Sequence, residues 1–112
     1  MILIRPEQMA VFRTAKLVQY ATELAPQLRR SYAEELEALD DAALVALTRE
    51  ALERAAAYGF ESEAHLRRFA ALEILAGAPL GSRRDVDAIL SARDLTPRRK
   101  LQVAAELLGI ET

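Results

Sequence analysis

Apolar residues recur every three or four positions along nearly the whole chain, and each recurrence stops at a glycine, a proline or a capping residue. That period belongs to the α-helix. The clearest case is "AALVALTREALERAAAY", where Leu44, Leu47 (or Thr48), Ala51, Leu52, Ala55 and Tyr58 share one face. Asp40 or Asp41 precedes it as a natural N-cap, and Gly59 follows where a left-handed residue ends a helix. The only extended-looking stretch is "ILI" at residues 2–4, which reads better as an apolar cap on a helical fold than as a strand.

The same logic partitions the rest. Pro6 suits a first helical position, and Met9, Phe12, Leu17, Tyr20 (or Ala21), Leu24, Leu28 and Tyr32 then form one stripe. Pro26 lies inside that run, so a kink or break is expected at residues 22–26. Beyond it the spacing of Leu28, Tyr32, Leu36 and Leu39 extends the helix to residue 38. Ser62, with Glu61 and Glu63 beside it, caps a helix ending at Gly77. Ser82 and Asp85 form a capping-box-like pair ahead of Val86, Ile89 and Leu90, and Thr96-Pro97 starts a last helix stopped by Gly109.

The expected architecture is all-α, a compact bundle of about five helices with short loops in a single domain. Its pieces are an apolar segment at 1–5, a long kinked helix at 6–38, and helices at 41–58, 62–76, 83–92 and 97–108. Composition agrees: the chain of 112 residues is 52% hydrophobic, mostly Ala and Leu, which are strong helix formers. A chain of this length buries roughly two-thirds of its unfolded surface, enough for a core without staples.

Several function classes fall away. With no cysteine there is no disulfide framework, thiolate zinc site or cysteine nucleophile, and a reducing cytoplasm fits. Fifteen basic against seventeen acidic residues give a net charge of −2, so no global basic field attracts nucleic acid. The N-terminus lacks a signal-peptide core of about 7–15 apolar residues, and no run approaches the roughly 18 of a membrane span. A cytoplasmic protein without a membrane segment is expected.

His65, the only histidine, is the best catalytic candidate, since Glu61 lies one helical turn before it and could tune a general base. No nucleophile elbow, phosphate loop or second histidine supports it, so the reading is a first-turn side chain. The acidic run Glu34, Glu35, Glu37, Asp40 and Asp41 lacks calcium-loop spacing and reads as solvated surface and caps. No catalytic residue, cofactor or metal site is expected.

Arg98, Arg99 and Lys100 open the last helix after a helix and a short turn, where a helix-turn-helix would contact nucleic acid through residues 83–108. Arg83 and Arg84 lie nearby. Against this, cations there oppose the helix dipole and the turn contains an acidic residue.

The order of pieces, "ILIRPEQM", "QLRRSY", "LERAAAYGFESE", "LRRFAALEILAGAPL" and "DAIL…LTPRRKL", resembles small helical bacterial proteins of unknown function encoded beside type VI secretion spike and effector genes. The matching positions are Ile4, Gln8 and Met9, then residues 55–60, then residues 75–80. The chain departs from the pattern at "SYAEE", where a proline-containing segment is usual, and at "AGAPLG", which lacks an aromatic. The resemblance implies a non-enzymatic adaptor or chaperone-like protein whose partner is a secretion effector or spike-associated protein. Met9, Phe12, Tyr58 and Phe60 are the candidate partner-binding residues, although Tyr58 and Phe60 also suit a wedge at the corner between two helices. An immunity or antitoxin-type protein is physically the same kind of object, and a surplus apolar stripe on the first helix would equally serve self-association.

Overall fold

The computed structural model describes the backbone of residues 6–110 and the side chains of residues 16–110. Among them the fold is all-α: α1 spans Pro6–Ser31, α2 Asp41–Ala57, α3 Glu63–Ala76, α4 Arg84–Leu90 and α5 Pro97–Leu108, with a 3-10 turn at Leu80–Ser82 and no strand. The apolar segment at 1–5 and the side chains of Met9 and Phe12 lie outside the described residues. No helix among the described residues is long and apolar enough to cross a membrane. The chain divides into two units, Met1–Arg49 and Glu50–Thr112, with the division falling inside α2.

In the first unit, helical pairing runs through Pro26 to Ser31 rather than to residue 38. Tyr32 N–H still reaches Leu28 O, but the backbone then closes into turns, with Leu36 N–H on Tyr32 O and Leu39 N–H on Leu36 O. The spacing Leu28, Tyr32, Leu36 therefore marks a buried face without an unbroken helix. Arg29 finishes this segment, donating from Nη1 to Leu36 O at 3.2 Å and from Nη2 to Leu39 O at 2.6 Å. Asp40 caps α2 by accepting from Ala43 N–H at 2.7 Å. Leu17, Ala21, Leu24, Leu28, Leu36 and Leu44 are buried, as is Thr48, whose Oγ1 donates back to Leu44 O at 2.7 Å.

In the second unit, α5 packs against α3 and α4, and the 3-10 turn joins α3 to α4. The core includes Leu52, Phe69, Leu72, Leu80, Val86, Leu90 and Leu101. Helix ends follow the sequence signals closely. Ser62 Oγ accepts from His65 N–H and Thr96 Oγ1 from Arg99 N–H, each at 3.2 Å. At Gly59 (φ 95°) and Gly109 (φ 71°) the backbone turns left-handed, which a Cβ would resist. The next residues, Phe60 and Ile110, return their N–H groups to Ala55 O and Ala105 O, the Schellman pattern. One expected cap is absent. Ser82 Oγ donates to Pro79 O instead, and Arg83 precedes α4 without any side-chain cap bond, so the 82–85 pair forms no capping box.

Candidate functional site

The first unit carries an apolar concavity of about 470 Å³ between the C-terminal half of α1 and the start of α2. Its walls are Thr22, Ala25 and Pro26 from α1 and Leu44 and Val45 from α2, with Arg29, Arg30 and Asp41 at the charged end. Two features of α1 shape it. Val18, Thr22, Pro26 and Arg30 are all exposed and fall on one i+4 row, so they align along one side of the helix. Pro26 has no N–H, which deprives the Thr22 carbonyl of its helical donor. Thr22 Oγ1, for its part, donates to Val18 O at 3.0 Å.

The charges at that end are unequal. Arg29 Nε meets Asp41 Oδ1 at 3.1 Å while Nη1 and Nη2 donate to the Leu36 and Leu39 carbonyls, so each of its nitrogens has a partner. No hydrogen bond or ion pair joins Arg30 to another described residue. With Asp41 answering Arg29, the uncompensated charge at the groove is the Arg30 guanidinium.

In the second unit, Tyr58 and Phe60 are engaged in the fold. Phe60, a candidate partner-binding residue, is only 4% exposed, with its ring 5.6 Å from that of the fully buried Phe69. It occupies the position after the Schellman glycine, where an apolar side chain characteristically packs back onto its helix. The Phe60 ring is thus part of the core of the second unit. Tyr58 is half-buried, its ring 5.9 Å from Phe69 and its hydroxyl donating to Asp87 Oδ1 at 2.6 Å. Burial, reinforced by that hydrogen bond and by the charges of Asp87 and Glu73, pushes its pKa up to about 12. Tyr58 and Phe60 thus wedge the corner between α2 and α3, and neither presents a free docking face. Met9 and Phe12, the other two partner-binding candidates, lie outside the described side chains.

Glu73, 4% exposed, is a buried carboxylate that no local sequence pattern marks. It accepts from Arg54 Nε at 2.9 Å and Nη2 at 2.8 Å, and from Leu80 N–H at 3.1 Å. Arg54's affinity for its proton rises further, chiefly through the Glu73 hydrogen bond. The pair ties α2 to α3 and also satisfies the first N–H of the 3-10 turn. No sequence signal short of a spatial contact would find a pair nineteen residues apart.

His65 is half-buried in the first turn of α3, edge-on to the Phe60 ring at 6.4 Å between centroids. Among the described residues no ion pair joins Glu61 to it. Glu34, Glu35 and Glu37 are exposed, and no cluster of three or more metal-ligating side chains occurs among the described residues.

Arg98 and Arg99 are exposed on the first turn of α5, and Lys100 is half-buried. Arg98 lines a second, mostly polar concavity of about 840 Å³, shared with Arg68, Gln102 and Glu106. Arg83 is not available beside them: it pairs with Asp85 at 2.8 Å and donates from Nη1 to Leu107 O at 3.1 Å, tying the start of α4 to the end of α5. Compared with protein-family models, curated proteins and solved structures, the chain has no match.

Proposed function

We propose that the chain is a non-enzymatic protein–protein interaction module, an accessory adaptor or chaperone-like protein for a secretion effector or spike-associated protein. The observation that carries this reading is the open apolar groove walled by Ala25, Pro26, Leu44 and Val45, set against polar side chains elsewhere that are committed to one another. An apolar groove with a charged end, exposed at Pro26 and half-exposed at Val45, suits a partner segment better than a reaction, because it supplies packing and orientation but no nucleophile or proton shuttle. The class of partner follows from the type VI resemblance in the sequence.

A bend in α1 belongs to the proposal. The proline ring pushes against the Thr22 carbonyl, and a threonine hydroxyl bonded back one turn favours curvature at the same place. A kink at residues 22–26 sets the angle of the groove's α1 wall.

The reading is tested by photo-crosslinking from position 45 in the native host. Recovery of a secretion effector or spike-associated protein, lost when Arg30→Glu is added, is the expected outcome. Recovery of nothing specific, or of the same protein regardless of Arg30, overturns it. If the captured protein is a toxin neutralised by the chain, the module is of the immunity type.

A second reading keeps α4 and α5 as a nucleic-acid element, favoured by the exposure of Arg98 and Arg99 on one helical turn. It requires duplex affinity that falls steeply with salt and drops on combining Arg98→Ala with Arg99→Ala. Affinity indifferent to both removes it. The seven-residue α4 and the engaged Arg83 weigh against it.

A further inference from the structure

We infer that the groove on the first unit receives an acidic amphipathic helix from a partner protein, with its apolar ridge on Pro26 and Val45 and a carboxylate on Arg30. The inference rests on reading the groove as a docking site and specifies the chemistry of what enters.

The choice of a helix follows from backbone accounting. Strand addition needs a row of unpaired N–H and C=O groups. Here α1 and α2 keep their interior pairing internal, and inside α1 the proline leaves the Thr22 carbonyl without its helical donor. A single acceptor cannot anchor a strand. It can receive one hydroxyl or amide donor from a helix whose own backbone is already satisfied.

The sign of the partner follows from the charges. Asp41 is answered by Arg29, whose Nη1 and Nη2 also donate to Leu36 O and Leu39 O. That leaves Arg30, two turns beyond Thr22 on the same exposed row. At 1.5 Å per residue the two positions are about 12 Å apart, so a donor and a carboxylate roughly two turns apart on the partner would match both. Between them, Ala25, Pro26, Leu44 and Val45 form the apolar floor and walls. An arginine also offers a planar fork to a carboxylate, which gives direction as well as attraction.

The test uses two synthetic helical peptides of about 18 residues with the same leucine ridge, one flanked by glutamates and the other by lysines. Fluorescence anisotropy with the full chain should show the acidic peptide binding at least about tenfold more tightly than the basic one. Arg30→Glu, at an exposed position that leaves the core untouched, should reverse that order. Val45→Asn should weaken both peptides, and Pro26→Ser should do the same if Val45→Asn disturbs folding. Three results overturn the inference: neither peptide binds, both bind equally, or Arg30→Glu leaves the order unchanged. A concentration-dependent dimer in sedimentation velocity that Val45→Asn abolishes also overturns it, because the occupant would then be a second copy. If the peptides fail while crosslinking from position 45 still recovers an Arg30-dependent secretion protein, only the acidic-helix assignment falls. If both fail, the docking reading falls with it.

Discussion

Arg29 and Arg54 each hold a carboxylate at hydrogen-bond distance, yet the two contacts do different work. Arg29's partner, Asp41, has a side chain 93% exposed, and the arginine's other donors cap the carbonyls of the turns after α1. Arg54's partner, Glu73, is buried and also accepts from Leu80 N–H. A water-facing ion pair contributes about 0–1 kcal/mol, because solvent competes for both charges. A buried carboxylate stripped of its partner is left uncompensated, which costs several times as much. The first unit thus holds an arginine-stitched turn beside an apolar groove, whereas the second ties its helices together through a buried carboxylate.

That contrast can be broken most forcefully at Phe69, the fully buried ring against which both Tyr58 and Phe60 rest. Phe69→Ala is expected to cost about 3–5 kcal/mol in urea denaturation, through lost burial and the cavity left behind. Next comes Glu73→Ala, expected to cost about 2–3 kcal/mol, since it strands the Leu80 N–H as well as Arg54. The loss falls short of that for a fully buried pair because the Arg54 side chain is 37% exposed.

Gly81→Ala is a finer probe, because a Cβ there would overlap Tyr58 Oη. A loss of about 1–3 kcal/mol is expected, and much of it should return in the Gly81→Ala, Tyr58→Phe double mutant, giving a non-additive cycle. The same hydroxyl supplies a pH signature. Its folded pKa of about 12 lies above the ordinary value of 10.0, so the neutral form is favoured in the folded chain. Its contribution is present below pH 10, declines as pH rises from about 10 to 12, and is gone above that. Tyrosinate absorbance should show one late-titrating tyrosine, absent in Tyr58→Phe.

The smallest effect belongs to Arg29→Ala, expected to cost about 1 kcal/mol, largely through the two turn carbonyls rather than the exposed ion pair. If it instead matches Glu73→Ala, the distinction between the two arginines is wrong.

The chain reveals its local chemistry in one dimension and hides its long-range pairs. Ser62, Thr96, Pro97 and the glycines at 59, 77 and 109 mark helix ends through neighbours two to five residues away, which is why those boundaries can be read directly. The end of α1 cannot, because Leu28, Tyr32 and Leu36 keep a buried face through turns as readily as through a helix. Glu73 meets Arg54, and Tyr58 meets Asp87, only once separate helices are packed. The inward place of Phe60 is local: the residue after a Schellman glycine packs back onto its helix, a signal present in "AAAYGF" and in keeping with a corner wedge. The groove itself was half legible, since the Val18, Thr22, Pro26, Arg30 row is a sequence pattern, whereas its facing wall at Leu44 and Val45 is not.

The most direct test that the apolar groove of the first unit, and not the polar concavity of the second, receives a partner is amide chemical-shift mapping of the full chain with the acidic amphipathic peptide. Perturbations confined to residues 18–30 and 41–49, with α3, α4 and α5 unmoved, are the expected result. Perturbations centred on α4 and α5, or none at peptide concentrations that would saturate a micromolar site, would contradict the account.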